Sequence, residues 1–289
     1  MKNLWYKINN TTIDMRSDID YLDLLPAAKI TIEDIMTNYE PPYYLMLSGG
    51  LDSQAMLDLW LRYGSNFIPT HVRYNYDLNM HDFRYLQAYA KNKIEINVID
   101  FNIIDFFENK YLEYANSIKA ISPHFAAHLY FSQNLKGTII FSGDRIDKYN
   151  GMNQILAMPV VSILSTNMCL FEQSNIRSIV PSFFIHTPQL AYSIIYDKKY
   201  LKCIPSNGYH TYKYKLLSYE GLRLIKPDLK YTGFEKVKDY YDINHSVDKK
   251  TILRYRNKPS RRSFDLILRY PLEEKFGVKK YEYLFNNLF

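Results

Sequence analysis

Between residues 43 and 141 the hydrophobic positions alternate between two periods. Tyr43–Leu47 is bulky and uncharged, as a strand covered on both faces requires. Asp52 to Tyr63 then sets Ala55, Met56, Leu59 and Trp60 at helical spacing and runs into Gly64, a helix-ending residue. The same reading predicts strand Phe67–Tyr74, helix Met80–Lys91, strand Ile94–Ile99, helix Ile103–Tyr114, helix Pro123–Asn134 and strand Thr138–Phe141. Such alternation is an α/β pattern: a parallel twisted sheet flanked by helices. Ligands of these sheets bind beyond the carboxyl ends of the strands, where Ser48, Tyr74-Asn75 and Ser142 fall.

The flanking regions read differently. Residues 1–40 form an N-terminal extension with one helix from about Thr31 to Tyr39, stopped by Pro41-Pro42. Residues 41–151 carry the α/β pattern. Beyond Gly151, helical stretches separated by Pro159, Pro181, Pro188 and Pro205 predict a mostly helical C-terminal lobe over 152–289. Within it Arg254–Arg262, RYRNKPSRR, reads as a basic loop or solvated surface.

Composition narrows the class. A chain of 289 residues can bury one large core, or one core with an appended lobe. No run of 18 apolar residues occurs, and MKNLWYKINN has no apolar stretch after its lysines, so no membrane partner and no secretory route are expected. Cys169 and Cys203 are too few for a disulfide scaffold or a four-cysteine zinc site, and a cytoplasmic, reducing setting is expected. The 28 tyrosines read first as coding bias and second as stacking surface for bases. Net charge is +6, but between His210 and Arg262 there are 14 Lys or Arg against 6 Asp or Glu. That local excess suits triphosphate, pyrophosphate or a nucleic-acid backbone.

The chemistry concentrates at Ser48-Gly49-Gly50-Leu51-Asp52-Ser53, where the first strand turns into a helix. Glycine tolerates positive φ and lets a ligand approach backbone N–H groups closely. With the helix N-terminus and the Ser48 and Ser53 hydroxyls, those groups make an anion nest. A carboxylate at Asp52 repels phosphate unless a divalent cation lies between them, and Mg²⁺ favours carboxylate plus phosphate oxygens. The lysine of GxxxxGK[ST] is absent, which argues against a P-loop. A second strand end, Thr138–Phe141, delivers Ser142-Gly143-Asp144-Arg145-Ile146-Asp147, whose carboxylates could complete the magnesium shell begun by Asp52.

Taken together, Ser48 to Ser53 matches the SGGxDS motif at every fixed position and resembles the PP-loop of the ATP pyrophosphatases. Ser142-Gly143-Asp144 and Asp147 add a likeness to the synthetase domain of asparagine synthetase and the β-lactam synthetases. The resemblance covers about Tyr43 to Gly151 and implies the HUP-like PP-loop ATPase fold. It implies ATP and Mg²⁺ as cofactors and cleavage of ATP to AMP and pyrophosphate, activating a carboxylate or carbonyl oxygen of a small molecule for attack by an amine or ammonia.

By the same resemblance Asp52 and Asp147 hold the metal and Ser48, Gly49, Gly50 and Ser53 hold pyrophosphate. Gly143 and Asp144 belong to the second nucleotide turn, and Leu47 with Val72 to Tyr74 contacts adenosine. Lys215 and Lys230 echo the family's phosphate-neutralising lysines and, with Arg145, are the candidate catalytic cations. Arg145 and Ile146 depart from the family's small residues, and Lys148 stands in place of its glutamate. Lys2 replaces the nucleophilic cysteine of glutamine-dependent members, so a separate amine or ammonia source is expected. Two further readings stay open: modification of a base in tRNA or DNA through an adenylated intermediate, and a nucleotide-binding protein without catalysis. His71, His124, His128 and His186 read as structural or surface residues.

Overall fold

The computed structural model describes residues 6–9, 12–15, 20–118, 123–143, 178–195, 216, 218–225, 236, 237 and 240. A short antiparallel hairpin comes first, β1 (Tyr6–Asn9) with β2 (Thr12–Met15). The main sheet has five strands: β3 (Tyr43–Met46), β4 (Phe67–Tyr74), β5 (Asn97–Phe101), β6 (Thr138–Phe141) and β7 (Ile179–Val180). Their order is β5-β4-β3-β6-β7 and every pairing is parallel, so the expected α/β sheet is present.

Helices cover both faces. On one lie α1 (Leu24–Asn38), α2 (Leu51–Tyr63), α3 (Met80–Ala90) and α7 (Pro188–Ile195), packed on Tyr43, Leu45, Leu47, Ile140 and Val180. On the other lie α4 (Ile103–Asp105), α5 (Tyr111–Ser117) and α6 (Pro123–Phe131), packed on Met46, Val72, Tyr74, Ile139 and Phe141. The alternation of β3 and β6 side chains between two cores is the period of two that a doubly covered strand must show.

Several elements differ from expectation for identifiable reasons. Helix α1 starts at Leu24 rather than Thr31, because Pro26 falls in its first turn, where a missing N–H costs nothing. Ala27, Ala28, Ile32 and Ile35 on that helix are fully buried, and the Thr31 hydroxyl meets that of Thr187. Residues on both sides of the expected bounds at 40 and 151 thus share one core.

Strand β5 starts at Asn97 rather than Ile94. Asn92 adopts φ 61°, and the Lys93 and Ile94 N–H groups bond back to the Ala90 carbonyl, so the helix-ending turn consumes those residues. The helix expected over Ile103–Tyr114 is interrupted by a π-helical turn at Phe106–Lys110 before α5 carries on to Ser117. Gly64 does cap α2, but at φ −93° rather than in the left-handed region. What it supplies is room, since a Cβ there would collide with the Trp60 ring.

Helix α6 carries a pH-sensitive feature. His124 and His128 lie one turn apart with ring centroids at 4.0 Å, and His128 stacks on Phe141 at 5.5 Å. Burial pushes His124 down to about 4 and His128 well below its ordinary range, the latter also opposed by the charge of His124. Both are therefore neutral in the fold at pH 7, whereas the unfolded chain takes up protons near pH 6.5. A lowered histidine pKa leaves stability intact above about pH 6.5 and removes it as pH falls towards 4. Urea unfolding is expected to give a free energy lower at pH 5 than at pH 7, by about 2 kcal/mol from His124, with His128 acting in the same direction. The His124→Gln/His128→Gln chain should lose that part of the pH dependence.

Candidate functional site

Strand order reverses at β3 and β6, so the connecting helices part to opposite faces and leave a crevice at the strand ends between them. Met46 aligns with both Thr70 and Phe141. Ser48-Gly49-Gly50 after β3 and Ser142-Gly143 after β6 therefore leave neighbouring strands at the same level.

The end of β3 is held from β4. The Leu47 N–H donates to the Thr70 carbonyl at 2.8 Å, and His71 Nδ1 lies 2.8 Å from the Leu47 carbonyl. That carbonyl can only accept, so Nδ1 carries the proton and donates. The ring is 1% exposed and stacked on Phe83, and burial lowers its pKa, which keeps it neutral. Its Nε2 faces Asn79 Nδ2 at 3.5 Å.

The turn itself is shaped by Gly49. Its φ of +84° is strained for any side chain, and a Cβ would collide with the Asp82 backbone carbonyl of α3. Gly50 has opposite surroundings: a Cβ there meets only Ser48 Oγ at 3.5 Å, so open space lies beyond its Cα. Gly50 is the N-cap of α2 and gives that 13-residue helix no side-chain cap. The Gly50 N–H donates to Ser48 Oγ at 3.4 Å, Ser53 Oγ donates to the Gly50 carbonyl at 2.9 Å, and Ser48 Oγ and Ser53 Oγ are 3.3 Å apart. Ser48 is exposed, Asp52 half-buried and Ser53 buried. The open approach over Gly50, the exposed Ser48 hydroxyl and the positive end of a helix make a donor set that would fit phosphate, with the buried Ser53 hydroxyl bracing the turn from beneath. The Asp52 carboxylate in the first helical turn is the hard oxygen that a Mg²⁺ beside that phosphate would take.

A segment far along the chain is fastened over this helix. Tyr219 Oη donates to Asp52 Oδ1 at 2.6 Å. Gln54, fully buried, donates from Nε2 to the Gly49 carbonyl at 2.8 Å and the Ile225 carbonyl at 3.0 Å, while its Oε1 accepts from the Ile225 N–H at 2.8 Å. One turn on, Asp58 accepts from Tyr89 Oη and pairs with Arg62, whose Nη2 also donates to the Gly221 carbonyl at 3.0 Å. Residues 219–225 are thus tied to α2 at Asp52, Gln54 and Arg62. Removing the amide in Gln54→Ala strands the buried Gly49 carbonyl and the half-buried Ile225 backbone groups. The expected loss is about 2–4 kcal/mol in urea unfolding, with faster hydrogen exchange at 218–225 than in β3 and β4.

The second turn is equally constrained. Gly143 has φ +65°, and a Cβ would strike Ser182, whose Oγ donates to the Ser142 carbonyl at 3.4 Å. Asp144, Arg145 and Asp147, and the candidate lysines Lys215 and Lys230, lie outside the described residues.

Of the expected adenosine contacts, Leu47, Val72 and Tyr74 are all buried. Asn79 reaches their strand end, donating from Nδ2 to the Val72 carbonyl at 2.6 Å and accepting the Tyr74 N–H at 2.8 Å. Beyond it, a cleft of about 470 Å³ opens at the ends of β4 and β5, lined in part by Arg73, Tyr74, Tyr76 and Asp100. Tyr76 is 70% exposed at φ 56° and stacks on Tyr240 at 5.4 Å. The Arg73 guanidinium beside Asp100 holds that carboxyl below its usual range.

Of the four histidines read as structural or surface residues, His71 is buried at the end of β3, His124 and His128 are the half-buried pair on α6, and His186 Nε2 lies 2.9 Å from Asp34 Oδ2, joining the segment before α7 to α1. Sequence reasoning missed Tyr219, Gln54 and Asn79, each of which works through a partner that no local pattern specifies. Among the described residues no group of three or more His, Cys, Asp or Glu is placed to hold a metal, and no helix is long and apolar enough to cross a membrane. Neither protein-family models nor curated proteins give a match to this chain.

Proposed function

We propose that the chain is an ATP-dependent, AMP-forming ligase of the PP-loop ATP pyrophosphatase type. The observation that carries the reading is the turn after β3: left-handed Gly49, an open approach over Gly50, an uncapped helix start and Asp52 in its first turn. The SGGLDS sequence at that place, beside the second glycine turn at Gly143, is what the resemblance to asparagine synthetase and β-lactam synthetase domains requires.

In this reading the β and γ phosphates of ATP lie on the Gly50 backbone and the Ser48 hydroxyl, with Ser53 bracing the turn. Asp52, with Asp147 by resemblance, would hold Mg²⁺, which supplies charge neutralisation on the outer phosphates. The α phosphate then faces a substrate carboxylate or carbonyl oxygen. Attack by that oxygen forms a bond to phosphorus, breaks the α–β bridge and releases pyrophosphate. Lys215, Lys230 and Arg145 are the cations assigned to the developing charge on the leaving group. An amine or ammonia from a separate source displaces AMP and yields an amide or amidine-like product.

Incubation with α-labelled ATP, candidate carboxylates and an ammonium or amine donor tests this. Labelled AMP with stoichiometric pyrophosphate is expected. Labelled ADP, or labelled AMP formed only when tRNA or DNA is present, would contradict a small-molecule ligase.

A further inference from the structure

Tyr219 is 1% exposed, packs its ring on Phe184 at 5.4 Å, and donates its hydroxyl to Asp52 Oδ1 at 2.6 Å. Its neighbours along the chain are anchored by Gln54 and Arg62, so the phenol cannot follow the carboxylate if that rotates. A carboxylate with one oxygen fixed by a phenol is oriented before any cation arrives, and it favours ligation through a single oxygen. Small octahedral cations such as Mg²⁺ and Mn²⁺ use carboxylates in that manner, whereas Ca²⁺ accepts both oxygens of one carboxylate.

We propose that Tyr219 is the positioning residue for Asp52: it holds that carboxylate in a one-oxygen geometry, so that the phosphate turn selects a small octahedral cation over Ca²⁺. This rests on the ATP reading given above. It assigns a role at the nucleotide site to a residue that comes from a different segment of the chain. Nothing in the SGGLDS motif specifies that residue. Outer partners of metal ligands commonly change metal affinity by about 10–100-fold when removed.

The test uses the full chain with α,β-methylene-ATP, which cannot be cleaved at the reacting bridge. Free Mn²⁺ is followed by electron paramagnetic resonance, and Ca²⁺ by its competition with Mn²⁺. Tyr219→Phe keeps the ring against Phe184 and removes only the hydroxyl. Thermal unfolding in EDTA, expected to stay cooperative with a loss no larger than that of one hydrogen bond to a charged group, about 1.5–3 kcal/mol, checks that the fold is retained. Mn²⁺ affinity in Tyr219→Phe is expected to fall by about 10-fold or more, Ca²⁺ affinity by less, and analogue binding without metal to stay unchanged. An unchanged Mn²⁺ affinity, or equal losses for both ions, overturns the proposal while the ATP reading stands. A wild-type chain that takes up no Mn²⁺ with the analogue overturns both together.

Discussion

Asp52→Asn is expected to reduce AMP and pyrophosphate formation by about three orders of magnitude, with little change in stability. An amide is neutral and a poor ligand for a hard divalent cation, so the charge that bridges protein and triphosphate is lost. Electrostatic stabilisation of a departing phosphate is the kind of contribution whose removal costs about 10²–10³-fold or more in rate. The fold should survive because the substituted amide would still offer a carbonyl oxygen to the Tyr219 hydroxyl, which in the native chain meets Asp52 Oδ1. Single-turnover assays with α-labelled ATP measure the rate, and urea unfolding measures the fold. A variant with wild-type turnover would remove Asp52 from the reaction.

The two glycines of the turn should separate folding from binding. Gly49→Ala places a methyl group against the Asp82 carbonyl at a φ of +84°. The left-handed conformation alone costs roughly 1–2 kcal/mol, and the backbone collision adds a cost of the overpacking kind, typically about 1–3 kcal/mol. A destabilised or poorly expressed chain is expected. Gly50→Ala meets only Ser48 Oγ at ordinary contact distance and lies at φ −69°, so stability should change by less than about 1 kcal/mol. Its methyl group projects into the space assigned to phosphate, and ATP affinity should drop by at least about tenfold, near 1.4 kcal/mol. Thermal unfolding and ATP titration of both variants decide this. An unchanged ATP affinity in Gly50→Ala would show that the space over Gly50 is not a ligand site.

Strands β4 and β6 were legible to the residue, because Phe67–Tyr74 and Thr138–Phe141 are rich in β-branched and aromatic residues and bounded by turn residues. Helix α2 was legible because its strong spacing is followed by Gly64, although the reason for glycine there is the Trp60 ring and not a left-handed cap. Strand β7 was not legible: two residues before Pro181 carry no periodic signal, and only pairing with β6 makes Ile179–Val180 a strand.

The same distinction holds at the site. Ser48 to Ser53 were legible as a strand-to-helix turn, because two glycines follow an apolar strand and precede a run at helical spacing. Tyr219 and Gln54 are invisible in sequence, since the Tyr219–Asp52 and Gln54–Ile225 bonds join residues 167 and 171 apart and depend on how 218–225 crosses α2. Asn79 is hidden for a related reason. An asparagine beginning a helix reads as an N-cap, yet it makes no capping bond and instead closes the end of β4.

Calorimetric titration of the wild-type chain with ATP and with AMP, both in excess Mg²⁺, tests the central claim most directly. If the turn after β3 grips the outer phosphates, ATP should bind at least about 100-fold more tightly than AMP, a difference near 2.7 kcal/mol, and pyrophosphate should compete with ATP. Equal affinities for ATP and AMP, or ATP binding that pyrophosphate leaves untouched, would contradict it.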